Sequence, residues 1–331
     1  MALIIIGDLH NRKKRPYRNQ VIDIMTWFTE SEYNIEDNEL LFLGDLVEEV
    51  ETPHELLGII IDFIVNKIRC KKIRILQGNH DCNIEDTILS SLAPLPRVKI
   101  IKEWEEETID GIRCLFLPYY YHESTNLEPM HELYSHLLVK GKFDYVFHHI
   151  EDETQNFGNR ADLTYIDSDN YLCGHIHSED VTKGGHYLGS PGFNSYTEKD
   201  KTPYIAVIDI GTKKYKLVEV PKFISYHEVS YPNPLPDKKD VLKYPIFRVK
   251  ESIDKAETLK FYEEEALKKG YVFYNREVCR KKSELDIELE GMNADDEKTD
   301  TEWFEIYQTE KGLDKDVLAL CLQIFDKRKA V

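Results

Sequence analysis

The chain has 331 residues, 41% of them hydrophobic, and a formal net charge of −18. That length accommodates two domains and a core needing no disulfide staples, and the apolar content excludes wholesale disorder. No stretch of roughly 18 apolar residues is present to cross a membrane, and a cleaved leader is not expected because its removal would delete Asp8 and His10.

The net charge ordinarily opposes a polyanionic partner. Its distribution matters more, since acid gathers between Glu103 and Glu107 and between Glu284 and Glu305. Arg12, Lys13, Lys14, Arg15 and Arg18 instead form a basic cluster just after His10, which suits a phosphate-bearing substrate as well as it suits an ordinary surface loop. Six cysteines (70, 82, 114, 173, 279 and 321) lack C-x-x-C spacing and read as reduced thiols of a cytoplasmic protein.

In chain order, residues 2 to 6 read as a buried strand ending in Gly7-Asp8-Leu9-His10. Residues 19 to 32 form an amphipathic helix with Val21, Ile24, Met25 and Phe28 on one face. The strand at 39 to 43 runs into Gly44-Asp45, and Pro53 opens a helix through Leu56, Leu57, Ile60, Ile61 and Ile64. A third apolar run, Arg74 to Gln77, stops at Gly78 and is followed by Asn79-His80-Asp81, three side chains able to bind a metal or move a proton. This β-α-β-α-β order with right-handed crossovers places three Gly-ending strands parallel, with their ends together.

After Asp81 the pattern turns more antiparallel. A short strand at 98 to 101 precedes an Asp110-Gly111 hairpin signal between apolar runs. A helix at 128 to 139 leads to a strand at 145 to 147 and then His148-His149. Strands at 171 to 173, 186 to 188, 204 to 210 and 215 to 220 follow, the first running into Gly174-His175-Ile176-His177. Two facing sheets with helices outside summarise the pattern.

Pro221, Pro232, Pro234 and Pro236 punctuate a polar stretch read as a semi-rigid linker. Beyond it lie a strand at 244 to 250, a helix at 255 to 269, a strand at 271 to 278 and a strictly alternating strand at 284 to 290. An acidic connector at 295 to 300 precedes two short helices around Gly312. These carry Trp303, Phe304 and Tyr307 on one and Val317, Leu318, Cys321, Ile324 and Phe325 on the other. Their apolar faces dock on the body of the chain or on a partner.

Four strand ends thus carry Gly followed by carboxylate, amide or imidazole. In Asp-x-His and His-x-His, residues i and i+2 point the same way, so each pair reaches one side. Asp8, His10, Asp45, Asn79, His175 and His177, with one of His148 or His149, mix nitrogen and oxygen donors suited to Mn, Fe or Zn rather than calcium. Seven ligands exceed one ion and suit two, the arrangement that serves in-line displacement at phosphorus.

In order and spacing these segments resemble the signature of calcineurin-like metallophosphoesterases, over residues 1 to about 220. Gly44-Asp45-Leu46-Val47 with Pro53 following, Gly189-Ser190-Pro191, a small capping unit and a terminal helix pair resemble the SbcD-type nuclease subunit of SbcC-SbcD recombination and repair complexes. The resemblance implies an α/β fold: a metallophosphoesterase β-sandwich flanked by helices, plus a small α+β capping domain and a C-terminal helix pair. The expected divisions are a nuclease domain at 1–225, a DNA-facing capping domain at 240–292 and an ATPase-binding helical segment at 300–331.

It further implies that Asp8, His10 and His177 hold one divalent ion, that Asn79, His175 and His149 (preferred over His148) hold the other, and that Asp45 bridges them. His80 takes the part of the catalytic histidine, and Mn2+ is the expected metal. Arg12, Lys13, Lys14 and Arg15 are the candidate DNA contacts. One departure from the pattern is Glu48, which stands where some relatives place a histidine.

The resulting expectation is a Mn-dependent DNA nuclease, exonucleolytic with endonuclease activity. It would work as a homodimer with an SbcC-type ATPase in the cytoplasm of a bacterial or phage-infected cell. The alternative is a stand-alone metal-dependent phosphodiesterase or phosphatase acting on a small nucleotide or phosphoprotein, which the acidic net charge favours. A non-catalytic scaffold is disfavoured because no motif position is lost.

Overall fold

The computed structural model describes residues 1–13, 16–49, 54–82, 87–119, 141–150, 163, 166–182, 185–250, 255–269, 271 and 278–279, all within the compact unit Met1–Cys279. The expected helix at 128 to 139, the strand at 284 to 290, the acidic connector and the terminal helix pair lie outside the described residues, as do Lys14 and Arg15.

The first sheet forms around β1 (Ala2–Ile6), β2 (Glu39–Phe42), β3 (Lys72–Leu76) and β4 (Val98–Ile101), all parallel neighbours, as a chain of β-α-β crossovers requires. It is extended on the other side by the antiparallel pair β11 (Tyr204–Asp209) and β12 (Lys214–Glu219). The central strands are apolar at nearly every position because both faces are covered. Ile4, Ile6, Leu40, Phe42, Ile73 and Ile75 face one core with Val21, Ile24, Met25 and Phe28 of α1 (Tyr17–Glu30) and Leu57 and Ile60 of α2 (His54–Asp62). Leu3, Ile5, Leu41, Leu43 and Leu76 face a second core.

That second core is closed by another six-stranded sheet, ordered β5 (Glu105–Ile109), β6 (Ile112–Leu117), β7 (Tyr145–His148), β8 (Tyr171–Cys173), β10 (Gly185–Tyr187) and β9 (Asp180–Thr182). Cys114, Phe116, Tyr145, Phe147 and Leu172 point inward from it. The Asp110-Gly111 turn has both residues at positive φ, 47° and 88°, as a tight hairpin demands. Beyond that hairpin the expected antiparallel character fails, because β6, β7, β8 and β10 run parallel. Burial on both faces favours such pairing: Leu115, Leu117 and Val146 meet a further cluster on the outer side with Ile150, Leu163 and Ile166.

A third sheet pairs β13 (Ile224–Ser230), β14 (Tyr244–Lys250) and β15 (Val278–Cys279) in parallel, and α3 (Lys255–Lys269) follows β14. The stretch read as a linker therefore contains a seven-residue strand in full register with β14. Ile224 anchors it, packing with Tyr17, Phe193, Tyr244 and Ile246. Val229 joins Phe247, Val249, Tyr262 and Ala266 at the other end. Among the described residues no helix is long and apolar enough to cross a membrane.

Candidate metal centre

The loops that leave β1 and β2 continue to pair after the strands end. The His10 N–H donates to Asp45 O at 2.9 Å, Asn11 N–H to Leu46 O at 3.2 Å, and Glu48 N–H to Asn11 O at 3.3 Å. This short parallel ladder fixes Asp8 and His10 against Asp45 and Glu48. Asp81 fastens the third loop to the second: its carboxylate accepts the N–H groups of Gly78 at 3.0 Å, Leu46 at 2.9 Å and Val47 at 3.3 Å. Burial, with the charge of Asp45 beside it, pushes the Asp81 carboxyl up to about 7. Asp81 is thus a buried clasp, and its oxygens are turned toward backbone donors.

The recurrent glycine before each donor is required by close approach. A Cβ on Gly174 would stand 2.6 Å from Leu43 O, 2.7 Å from His149 Nδ1 and 2.8 Å from Asp8 Oδ1. A Cβ on Gly78 would overlap the Asp45 carboxylate. The donors themselves carry backbone strain. His10, Asp45 and His175 have φ of 47°, 48° and 77°, in the left-handed region that most side chains avoid.

The side chains converge in three overlapping groups: Asp8 with His10 and His177, His10 with Asp45 and His80, and Asp45 with His149 and His175, each with ligand atoms within 4.8 Å of one another. Asn79 joins the last group, its Oδ1 lying 3.0 Å from His149 Nε2 and 2.8 Å from His175 Nδ1. Asp45 Oδ2 sits 3.2 Å from His149 Nε2 and 3.6 Å from His10 Nε2, between the two outer groups. Of the histidine pair, His149 enters the site, whereas the His148 ring turns away to Cys173 Sγ at 2.7 Å and to the Tyr187 ring.

These residues fit a pair of divalent cations. Asp8 is fully buried, and neither carboxylate oxygen accepts a hydrogen bond from a described residue. The Nδ1–H of His149 donates to Leu43 O at 2.6 Å, which turns the Nε2 lone pair toward two more acceptors, Asn79 Oδ1 and Asp45 Oδ2. A crowd of inward-facing acceptors is stable around a cation and costly without one. The charges respond accordingly. Burial acts to lower His149, but Asp45 and Asp8 beside it raise it; burial acts to raise Asp45, but His149 and His10 hold it well below the usual carboxylate range. Burial drives His10 down despite the Glu48 carboxylate 3.0 Å from its Nδ1.

His80 stands at the edge of this cluster, partly exposed, its ring meeting that of His10 edge-on at 4.9 Å. The His80 backbone N–H donates to Asp45 Oδ1 at 2.8 Å, and the ring Nδ1–H to Glu48 O at 2.7 Å, leaving Nε2 unassigned to the scaffold. Arg12 reaches Glu48 at 3.0 Å and lies over the Tyr17 ring at 5.0 Å, and Lys13 is exposed beside it.

A family model described as calcineurin-like phosphoesterase matches residues 1–179. The chain belongs to the calcineurin-like phosphoesterases. It is accordingly a metal-dependent hydrolase of phosphoesters, on the mixed α/β scaffold already described. Solved structures similar to this phosphoesterase include a novel archaeal phosphodiesterase, 18% identical over 66% of this chain and 99% of that one, with a TM-score of 0.36. Another is the phosphopantetheinyl hydrolase of Mycobacterium tuberculosis, 15% identical over 57% of this chain and 90% of that one, with a TM-score of 0.33. No curated protein matches the chain.

Three residues at this centre have roles that pattern reading did not assign. Glu198 holds His177, Glu48 holds His10, and Asp81 joins two loops. Their partners lie 21, 38 and 35 residues away in sequence for His177, His10 and Leu46, so no local spacing announces them. The exception is the position of Glu48, flagged by its departure from the family pattern.

Proposed function

We propose that the phosphoesterase is a Mn-dependent DNA nuclease of the SbcD type, in which Asp8, His10 and His177 hold one ion, Asn79, His149 and His175 hold the second, and Asp45 bridges. The observation that carries the chemistry is the convergence of these seven side chains, with His80 Nε2 left beside them. When bound, divalent ions supply positive charge to the phosphoryl oxygens and make water a nucleophile near neutral pH.

The chain's own groups do the rest. Water adds to phosphorus, losing one proton to solvent, as the P–O ester bond breaks, and His80 gives a proton from Nε2 to the departing oxygen. Its Nδ1–H, tied to Glu48 O, keeps the ring aimed. The buried position of Asp8, Asp45 and His149 holds the donors in place before substrate arrives, so little reorganisation accompanies the reaction.

DNA as substrate is supported by the signature residues, by the small third sheet with its helix, and by Arg12 and Lys13 beside the metal centre. A homodimer and an SbcC-type ATPase docked on residues 300–331 complete the reading, in the cytoplasm of a bacterial or phage-infected cell. The deciding experiment measures Mn-dependent degradation of end-labelled duplex DNA against hydrolysis of a small phosphodiester, with and without the ATPase. Activity on the small ester but none on DNA favours the second reading, a stand-alone phosphodiesterase or phosphatase. That reading draws on the net charge of −18 and on Arg12 being already neutralised by Glu48.

A further inference from the structure

Two imidazoles of the centre, those of His10 and His177, share a construction. Glu48 Oε2 lies 3.0 Å from His10 Nδ1 and 3.0 Å from the Arg12 guanidinium. Glu198 Oε1 accepts from His177 Nδ1–H at 3.2 Å, and its Oε2 accepts from the Asn194 N–H at 3.0 Å and from the Lys201 ammonium at 2.5 Å. Glu198 is buried, the Lys201 side chain is only 6% exposed, and Lys201 also donates to His177 O at 2.9 Å. Each is a cation, a carboxylate and an imidazole in sequence. The His10 and His177 rings then meet edge-on, with centroids 4.5 Å apart, on the Asp8 side. On the other side His149 is held by a backbone carbonyl.

We infer that Glu48 and Glu198 are positioning residues for one half of the centre, the half formed by Asp8, His10 and His177. This rests on the dinuclear reading above. A carboxylate behind an imidazole fixes its tautomer and orientation and makes the facing nitrogen a better donor. Because Arg12 and Lys201 neutralise the two carboxylates, the chain gains that orientation without adding net negative charge to a site already crowded with Asp8 and Asp45. Glu48 also touches His80, but through its backbone carbonyl. Replacing the Glu48 side chain therefore leaves the His80 contact in place and tests the His10 contact alone.

The test is Mn2+ binding by the full chain, followed by calorimetry and by the electron paramagnetic resonance of free Mn2+. Glu48→Ala and Glu198→Ala should each weaken one of two ions by about 10–100-fold while the other stays within about twofold of wild type. Glu48→Gln and Glu198→Gln keep an acceptor oxygen and should recover most of that loss. Glu48→Ala should add nothing to His10→Ala yet add fully to His149→Ala, the signature of a shared half-site. Binding by Glu48→Ala that superimposes on wild type, or equal weakening of both ions, overturns the inference. A wild-type chain that binds fewer than two ions overturns the dinuclear reading, and this inference with it.

Discussion

At the residue scale, the centre is built from strand ends that approach so closely that only glycine fits between them. The Gly-Asp, Gly-Asn-His-Asp and Gly-His-x-His segments are legible in the sequence because the glycine and the donor it makes room for are adjacent. Gly174→Ala would force a methyl group against His149 Nδ1 and Asp8 Oδ1. We expect it to cost about 1–3 kcal/mol of stability from overpacking, and on the order of 100-fold in kcat from displaced donors. Urea unfolding and turnover of a small phosphodiester measure the two separately. His80→Asn should lower kcat by about 10²–10⁴-fold, the usual worth of a positioned proton donor, while Mn2+ binding by calorimetry stays near wild type. Loss of both together would make His80 a ligand, a role its proximity to His10 and Asp45 allows.

At the element scale, β3 carries a residue that joins the two main sheets. Arg74, 2% exposed, donates to Glu107 of β5 at 2.6 and 3.0 Å and pairs with Glu39 of β2. Lys72 and Lys99 reach the same Glu107 carboxylate at 2.7 and 3.1 Å. Arg74→Met leaves two carboxylates short of their main partner, and urea denaturation should show a loss of about 3–5 kcal/mol. Burial acts to raise Glu107, but Arg74, Lys72 and Lys99 hold its carboxyl far below the usual range. Its contribution is therefore fully present above the unfolded value of about 4.3 and fades as pH falls toward the folded one. Between about pH 5 and pH 3, wild type should lose more stability than Glu107→Gln, whose amide does not titrate; parallel curves would show the pairs to be inert.

The same scale shows where pattern reading succeeds and where it stops. Strands covered on both faces announce themselves as unbroken apolar runs, and β1, β2 and β3 fall within a residue or two of their expected bounds. β13 escapes notice because its residues alternate only loosely and prolines flank it; its register comes from β14, twenty residues on. The parallel run of β6, β7, β8 and β10 is likewise fixed by the partner across each ladder, which local spacing does not encode.

At the scale of the whole molecule, the small third sheet is tied to the main body through Tyr17, Phe193, Ile224, Tyr244 and Ile246. Gln20 clamps Phe193 from α1, donating to its carbonyl and accepting its N–H, each at 3.0 Å. If the proposed nuclease reading holds, removing residues 300–331 should leave Mn-dependent hydrolysis of simple DNA intact while abolishing capture of an SbcC-type ATPase. A pull-down in which the shortened chain retains its partner would place the docking surface elsewhere.

The fully buried Asp8, neither of whose carboxylate oxygens accepts a hydrogen bond from a described residue, makes folding and ion supply one equilibrium. Acceptors gathered out of water around one space are costly without a cation, so a chain stripped by chelator gives up part of its resistance to heat. At an ion concentration 100 times the dissociation constant the difference is about 2.7 kcal/mol, or roughly 4 °C in Tm for a protein of this size. Where the cation runs short, then, the enzyme should fall silent while still largely folded, and its lowered melting temperature records the ion's availability.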